Sequence, residues 1–183
     1  FFKKMNNGEL NIGGAINEYD GDHFGLIIEP IIDIEEPYYF SKSFKTDYNI
    51  FFKYNFDISK KTELFSDLQI RGYTHKMKGN DNDKSEIDID KNNIFLNPKI
   101  GVTSSLNEKV SLYGSVAVAN REPIRSDYID SDTDPKHETL YDFEFGKNYT
   151  YQKGFLNTNI YLMEYLNQLI TTGEVNDVGA YVR

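Results

Sequence analysis

Apolar and polar residues alternate strictly along DYNIFFKYNFDI, residues 47–58. The even positions carry only apolar or aromatic side chains, whereas the odd positions carry Asp, Asn or Lys, with Phe51 as the exception. Side chains of a β-strand point in turn to its two faces, so this stretch predicts a strand with one apolar and one polar face. The apolar set is Tyr48, Ile50, Phe52, Tyr54, Phe56 and Ile58.

The same alternation recurs along most of the chain. It is found in residues 64–73, 94–103, 110–119, 141–151 and 156–163, and more weakly in the Gly-rich stretch near 10–16. These strands of about 10 to 14 residues are roughly twice as long as those of most soluble proteins. YLMEYLNQLI extends the strand at 156–163, and a further strand is expected near Val178. The pattern predicts an all-β fold, an antiparallel meander of about seven to eight long strands.

Short and long connections alternate between the predicted strands. Short polar turns are predicted at 5–9, 58–63, 106–109 and 151–154, and long polar loops at about 20–46, 76–92, 120–138 and 167–177. Short turns at one end and long loops at the other are typical of an outer-membrane β-barrel. A repeat array is the alternative explanation of this spacing, but the units share no motif.

The apolar faces have the length needed to cross an outer membrane. The strand at 141–151 has Tyr at both ends of its apolar face. Ten residues rising about 3.3 Å each, tilted by about 40°, span roughly 25 Å along the membrane normal. Lys147 lies on this apolar face and is the exception, because a lipid-facing Lys costs about 2 to 4 kcal/mol at the midplane.

The polar faces indicate a water-filled interior. A packed soluble core does not accommodate Asp47, Lys53 and Asp57 on one strand face. The hypothesis is that the apolar faces meet lipid and the polar faces line a lumen. A large soluble sheet with one solvated face remains the alternative.

Composition narrows the classes of partner. The 183 residues include 14 Tyr and 13 Phe but no Cys, and the net charge is −9. The lack of Cys excludes a disulfide framework and a Cys-based zinc site. The acidic balance argues against nucleic acid, and no apolar run predicts a membrane-spanning helix. No signal peptide opens the chain, so we expect an internal piece of a longer protein.

Several stretches resemble the barrel of TonB-dependent outer-membrane receptors, particularly those of Bacteroidetes. They are NEYDGDHFG (17–25), FKTDYNIFFKYNFDI (44–58), YTHKMKG (73–79), FLNPKIG (95–101), VAVANREPIRSDYIDSD (116–132), LYDFEFGKNY (140–149) and NIYLMEYLNQLITTGEVNDVGAYVR (159–183). The resemblance covers nearly the whole chain, and Asn120–Pro123 with Arg125 and Asp127–Tyr128 is its most specific part. Lys147 departs from it, since that family position is more often aromatic.

The resemblance implies that residues 1–183 form an incomplete segment of a 22-stranded transmembrane barrel. Such receptors carry out active uptake of a scarce bulky ligand, such as a ferric siderophore, cobalamin or a glycan. Energy comes from the TonB complex through a missing N-terminal region, which also holds the plug domain and TonB box. The expected location is the outer membrane of a Gram-negative cell, with outer-membrane lipid as a partner. About eight strands do not close this wall, so we expect the isolated segment to transport nothing.

Candidate ligand-binding residues lie at the predicted outer rim and in the loops. Arg121 and Arg125 of NREPIRSDY present guanidinium groups suited to carboxylate or phosphate. The alternative is that Arg121, Glu122, Arg125 and Asp127 pair with one another and hold the shape of the loop. The full candidate set is Arg121, Arg125, Tyr128, His23, Arg71, Tyr73 and His75.

Metal, cofactor and enzyme sites are not predicted. DNDKSEIDIDKN (81–92) lacks the Gly and Glu of an EF-hand, and DSDTDPKHE (130–138) has Pro135 at the glycine position. For each of these two stretches, a solvated loop and a loosely bound calcium ion are the alternative interpretations. His23, His75 and His137 show no metal-ligand spacing, and no strained turn singles out a hydrolase nucleophile. A passive outer-membrane pore or surface binder, and a soluble β-sheet binding module, are the alternative functions.

Overall fold

The computed structural model describes residues 1–28, 36–131, 133–170 and 173. Eight strands form a single antiparallel sheet in which each strand pairs with its neighbours in the sequence. This confirms the predicted all-β meander of about seven to eight strands. The strands are β1 (Phe2–Met5), β2 (Gly8–Gly25), β3 (Tyr39–Ser59), β4 (Thr62–Asn80), β5 (Glu86–Asn107), β6 (Val110–Arg121), β7 (Glu138–Tyr151) and β8 (Gly154–Leu166), with helix α1 at Arg125–Ile129.

The four predicted short turns are confirmed. They join β1 to β2, β3 to β4, β5 to β6 and β7 to β8, all at one end of the sheet. The strand residues that flank them pair directly, as Met5 with Gly8 and Tyr151 with Gly154. The longer connections therefore lie together at the opposite end.

The bounds predicted for the long loops at 20–46 and 76–92 are wrong, because the strands extend well into both ranges. β2 and β3 stay paired up to Gly25 and Tyr39, and β4 and β5 up to Asn80 and Glu86. These strands have 18, 21, 19 and 22 residues, beyond the predicted length. The loop predicted at 120–138 is present between β6 and β7. The strand expected near Val178 lies outside the described residues.

The long strands were missed because their alternation changes phase. In β5, Ile94 and Leu96 are exposed at even positions, whereas Ile87 is 4% exposed at an odd position. In β4, Met77 at an odd position is 1% exposed. Near the short turns the apolar side chains lie at exposed, even positions. Further along the same strands they lie at buried, odd positions on the opposite face. A single alternating template cannot fit both parts, so the sequence there reads as irregular.

The outer surface becomes charged where the phase changes. Lys76 pairs with Asp90 at 3.0 Å and Lys78 with Asp88 at 3.4 Å, and all four side chains are more than half exposed. These four residues lie at even positions, on the same face as the apolar residues nearer the short turns. The even face thus has an apolar band next to the short turns and an ionic zone beyond it.

The apolar band is open to the surroundings. Tyr48, Ile50, Phe52 and Val116 are 37–43% exposed, so no other layer formed by the described residues covers them. We call this surface the apolar face and the opposite surface the polar face. Lys147 lies exposed on the apolar face, as its position in the alternation predicted.

The loop between β6 and β7 contains the short helix α1, which the sequence did not predict. Its described residues are 122–131 and 133–137, and we call them the inner loop. Among the described residues, no helix combines the length and hydropathy required to cross a bilayer.

Candidate functional site

The inner loop is held against the polar face of β3 and β4 by a buried carboxylate. Glu122 is 7% exposed and accepts hydrogen bonds from Lys45 of β3 and from Arg71 of β4, the latter at 3.0 Å. The Nε of Arg71 also donates to Asp47 at 2.9 Å. Each charge in this group therefore faces an opposite charge, as a partly buried ionic network requires.

An aromatic cluster lies beside this ionic network. The ring of Tyr73 packs against Phe95 at 5.8 Å, and Phe95 against His137 at 5.2 Å between centroids. The hydroxyl of Tyr128, in α1, lies 3.4 Å from that of Tyr73. Burial, and then the hydrogen bond with Tyr73, raise the pKa of Tyr128, so its hydroxyl keeps its proton. The cluster gives the inner loop a small hydrophobic core of its own.

His75 lies beneath α1, beyond the apolar band. Its Nε2 is 3.2 Å from the Oγ of Ser43, and its ring meets Tyr128 edge-on at 6.4 Å. Burial lowers the pKa of His75, and the charge of Lys45 lowers it further, with Glu122 acting in the opposite direction. The imidazole is therefore neutral at pH 7.

The Ser43–His75 contact has the distance of a nucleophile and its base. Ser43 is only 4% exposed beneath the inner loop, however, so a substrate cannot reach its oxygen in this arrangement. The contact satisfies two buried polar groups instead. The expectation that the protein is not an enzyme stays a prediction.

Acidification is expected to loosen the inner loop through His75. The pKa of His75 is lower in the folded protein than in the unfolded chain. His75 therefore leaves the free energy of folding unchanged above about pH 6.5 and makes folding less favourable as the pH falls below about 6.5. A spin label at Ser131 should become more mobile between pH 7.5 and pH 5. His75→Gln cannot gain the proton, so its spectrum should change much less. Equal changes in both proteins would contradict this role.

The ends of the inner loop are fixed by other contacts. Arg125 donates to Asp81 at 3.0 Å, in the connection between β4 and β5. The Oδ2 of Asp127 accepts the backbone N–H of Ile124 at 2.8 Å and so caps the start of α1. Arg121, at the end of β6, pairs with Glu138 of β7 at 3.3 Å.

The ion pairs of NREPIRSDY differ from the predicted alternative. Arg121 and Arg125 were expected to contact a ligand, or else to pair with Glu122 and Asp127 within their own loop. Their ion pairs reach β7, β3 and β4, and the connection 81–85, respectively. These residues therefore attach the inner loop to the sheet and to the connection 81–85.

The structure brings most of the predicted site residues together. Five of them meet beneath or within the inner loop: Arg71, Tyr73, His75, Arg125 and Tyr128. Two lie apart from this group. His23 of β2 contacts the hydroxyl of Tyr19 at 3.4 Å, and the side chain of Arg121 is 55% exposed at the rim.

Other members of the site were not predicted from the sequence. Three of them contact predicted residues directly: Lys45 of β3 lies over the ring of Tyr73, Ser43 contacts His75, and Phe95 of β5 packs against Tyr73. His137 joins the site through its contact with Phe95. For Phe95 the change of phase in β5 is the signal, because the buried side chains there lie at odd positions.

The acidic stretches do not form a metal site in the part of the chain that is described. There, no group of three or more His, Asp or Glu side chains is placed to hold an ion. Asp88 and Asp90 are on strand β5 and face Lys78 and Lys76.

Comparison with known proteins gives the fold. No protein-family model and no curated protein matches this sequence. The ferric-catecholate import receptor Fiu from Escherichia coli K12 matches over 100% of this chain and 32% of its own, with a TM-score of 0.69 and 14% identity. The FrpB iron transporter from Neisseria meningitidis (F3-3 variant) matches over 98% and 29%, with a TM-score of 0.63 and 17% identity.

This chain spans about a third of the length of each of these two proteins. At such low identity the likeness establishes the fold. The eight-stranded meander has the fold of a section of a receptor barrel, as the sequence resemblance predicted.

Proposed function

We propose that this chain is part of the wall of a TonB-dependent outer-membrane import receptor. The observation that carries the proposal is the two-sided sheet, which has an uncovered apolar band on one face and an ionic, loop-covered opposite face. A lipid bilayer outside and a watery lumen inside account for both faces. The fold shared with Fiu and FrpB supports the same assignment.

The inner loop favours a receptor over an open pore. It is attached to the polar face by the ion pairs of Glu122 and Arg125 and by the packing of Tyr128. A loop held in this way occupies part of the lumen at the outer end of the wall. Such a narrowed entrance suits a protein that binds its ligand before moving it.

A metal chelate is the ligand class that we favour. The names of both similar structures refer to iron transport or import. The exposed guanidinium of Arg121 provides a contact for anionic groups of such a ligand. His23 lies on the same polar face, so it is the second candidate for direct contact. Cobalamin and a glycan are the alternatives.

The proposal includes the expected surroundings of the protein. The location is the outer membrane of a Gram-negative cell, and the partners are outer-membrane lipid and the TonB complex. Contact with the TonB complex is assigned to the N-terminal region of the longer receptor. No nucleic acid, catalytic reaction or cofactor is part of this proposal.

Uptake by cells with and without the gene tests the function. The probes are radiolabelled iron as a ferric tris-catecholate, labelled cobalamin and a labelled oligosaccharide. We expect the wild-type gene to support uptake of the iron chelate, and a protonophore to abolish it because the TonB complex uses the proton gradient. Arg121→Gln should weaken binding by about tenfold, the loss of one charged hydrogen bond.

The outcomes separate the competing functions. Uptake that persists with the protonophore indicates a passive pore. A protein found in the aqueous fraction indicates a soluble binding module. Uptake of cobalamin or the oligosaccharide alone would support the receptor function but contradict the metal chelate as its ligand. Lys99→Gln, which changes a polar-face cation further from the outer rim, is the matched control for Arg121→Gln.

A further inference from the structure

A groove crosses the apolar face at Gly114 of β6. In the register of the sheet, Gly114 lies between Val102 of β5 and Phe145 of β7. The larger side chains on both sides leave a groove of about 540 Å³ at this position. Its walls include Ile100, Val102, Val116, Phe143, Phe145 and Leu162.

The fold does not require glycine at position 114. A Cβ added at Gly146 collides with the ring of Tyr113, so that glycine makes room for a neighbour of the same chain. At Gly114 the nearest atoms to an added Cβ are the backbone oxygen of Glu144 at 3.6 Å and a ring carbon of Phe145 at 3.9 Å. These are ordinary contact distances. A larger residue would fit and would favour the strand, so the gap suits an occupant from outside the chain.

Lys147 lies directly beside this groove. It faces Leu112 of β6 and Thr158 of β8, one step nearer the short turns than the pair of Gly114 and Phe145. None of the ion pairs formed within the described residues involves Lys147. An exposed cation, a neighbouring hydroxyl and an apolar groove therefore lie next to one another.

The depth of Lys147 suits the headgroups of the inner leaflet. β7 ends at Tyr151, four residues further on, which is roughly 10 Å along the membrane normal. The stacked rings of Tyr149 and Tyr151 lie between, and such aromatic rings mark the membrane interface. The flexible stem of Lys147 can bring its ammonium towards that interface, while the groove at Gly114 extends towards the membrane centre.

We propose that Lys147 and the Gly114 groove bind one anionic glycerophospholipid of the periplasmic leaflet. The ammonium of Lys147 and the hydroxyl of Thr158 contact the phosphate, and an acyl chain lies along Gly114 between Val116 and Phe145. This site explains the single Lys in the apolar band by giving it an anionic partner. It rests on the membrane placement in the proposed function.

Native mass spectrometry of the full-length receptor tests this site. The protein is released from nanodiscs of phosphatidylglycerol and phosphatidylcholine, and the retained lipids are counted. We expect one phosphatidylglycerol to be retained in preference. Lys147→Met should lower its occupancy about fivefold, the usual effect of one basic residue at an anionic membrane surface. Gly114→Ile should displace the acyl chain while leaving the barrel at least as stable.

Two controls make each outcome decisive. Lys153→Met removes the same charge from the adjacent short turn, and an equal loss of phosphatidylglycerol in this variant would overturn the specific site. Full retention by Gly114→Ile, with folding confirmed by its migration on unheated gels, would overturn the role of the groove. A wild-type protein that leaves the nanodisc without phosphatidylglycerol would also overturn the site, whereas a protein that does not enter nanodiscs at all would contradict the membrane placement itself.

Discussion

Replacing Phe52 with Arg is expected to destabilise the barrel in the membrane by about 2 to 4 kcal/mol, because the charge enters the centre of the lipid-facing band. Phe52 lies between Ile12 of β2 and Leu68 of β4 on the apolar face. The corresponding change in the folding equilibrium is about 30- to 900-fold.

Phe51→Arg provides the matched control, since Phe51 is the neighbouring residue on the opposite face. There it lies 5.6 Å from the ammonium of Lys53, in polar surroundings. A lumen-facing Arg stays hydrated, so we expect a loss of no more than about 1 kcal/mol.

Urea titration of the full-length barrel in liposomes measures both variants, with folded protein identified by its faster migration on unheated gels. Equal losses from Phe51→Arg and Phe52→Arg would contradict the assignment of lipid to one face. A larger loss of stability from Phe51→Arg would show that the opposite face of the sheet meets lipid.

Replacing Glu122 with Leu is expected to release the inner loop. Lys45 and Arg71 would lose the buried carboxylate that they share, and removing one partner of a buried ionic group is strongly destabilising. The two cationic side chains are 29% and 24% exposed, so water partly screens them and the expected cost is about 2 to 3 kcal/mol. The open loop should become about 30- to 150-fold more populated.

Hydrogen exchange at constant pH measures this opening in peptides from the inner loop. Asp20→Leu is the control, because it removes the carboxylate of an exposed pair with Lys42 in which both side chains are more than half exposed. Asp20→Leu should alter the free energy of opening of the inner loop, as measured by exchange, by less than about 0.5 kcal/mol. If Glu122→Leu also leaves the exchange of the inner loop unchanged, the ionic attachment is not what holds it.

The sequence predicted the part of the fold that carries the exposed apolar face. A strand in a bilayer must present apolar residues at every second position, so Tyr48, Ile50 and Phe52 reveal both the strand and its face. The short turns were equally clear because two residues must reverse the chain between paired strands, as at Tyr151 and Gly154.

The sequence did not predict the ends of the long strands. Beyond the apolar band the even face is exposed and charged and the odd face is covered by the inner loop, so Lys76 and Met77 exchange the positions expected of polar and apolar residues. Helix α1 was missed for a related reason. A five-residue helix is not stable alone, and this one depends on the cap by Asp127 and the packing of Tyr128.

The candidate site was predicted in location more than in role. Tyr73 and His75 were expected at the rim as ligand contacts, and the structure buries both under the inner loop. Their burial depends on residues distant in sequence, such as Glu122 and Tyr128, which no local pattern places above them. Whether Arg121 and His23 contact a ligand stays a prediction.

Spin labels placed one at a time at residues 48–53 of the full-length receptor in liposomes test the central claim most directly. Collisions with oxygen report lipid, and collisions with a water-soluble nickel chelate report an aqueous lumen. We expect strict alternation, with oxygen dominant at Tyr48, Ile50 and Phe52 and nickel dominant at Asn49, Phe51 and Lys53. Even positions that are accessible to neither reagent, or equal accessibility at all six positions, would contradict it.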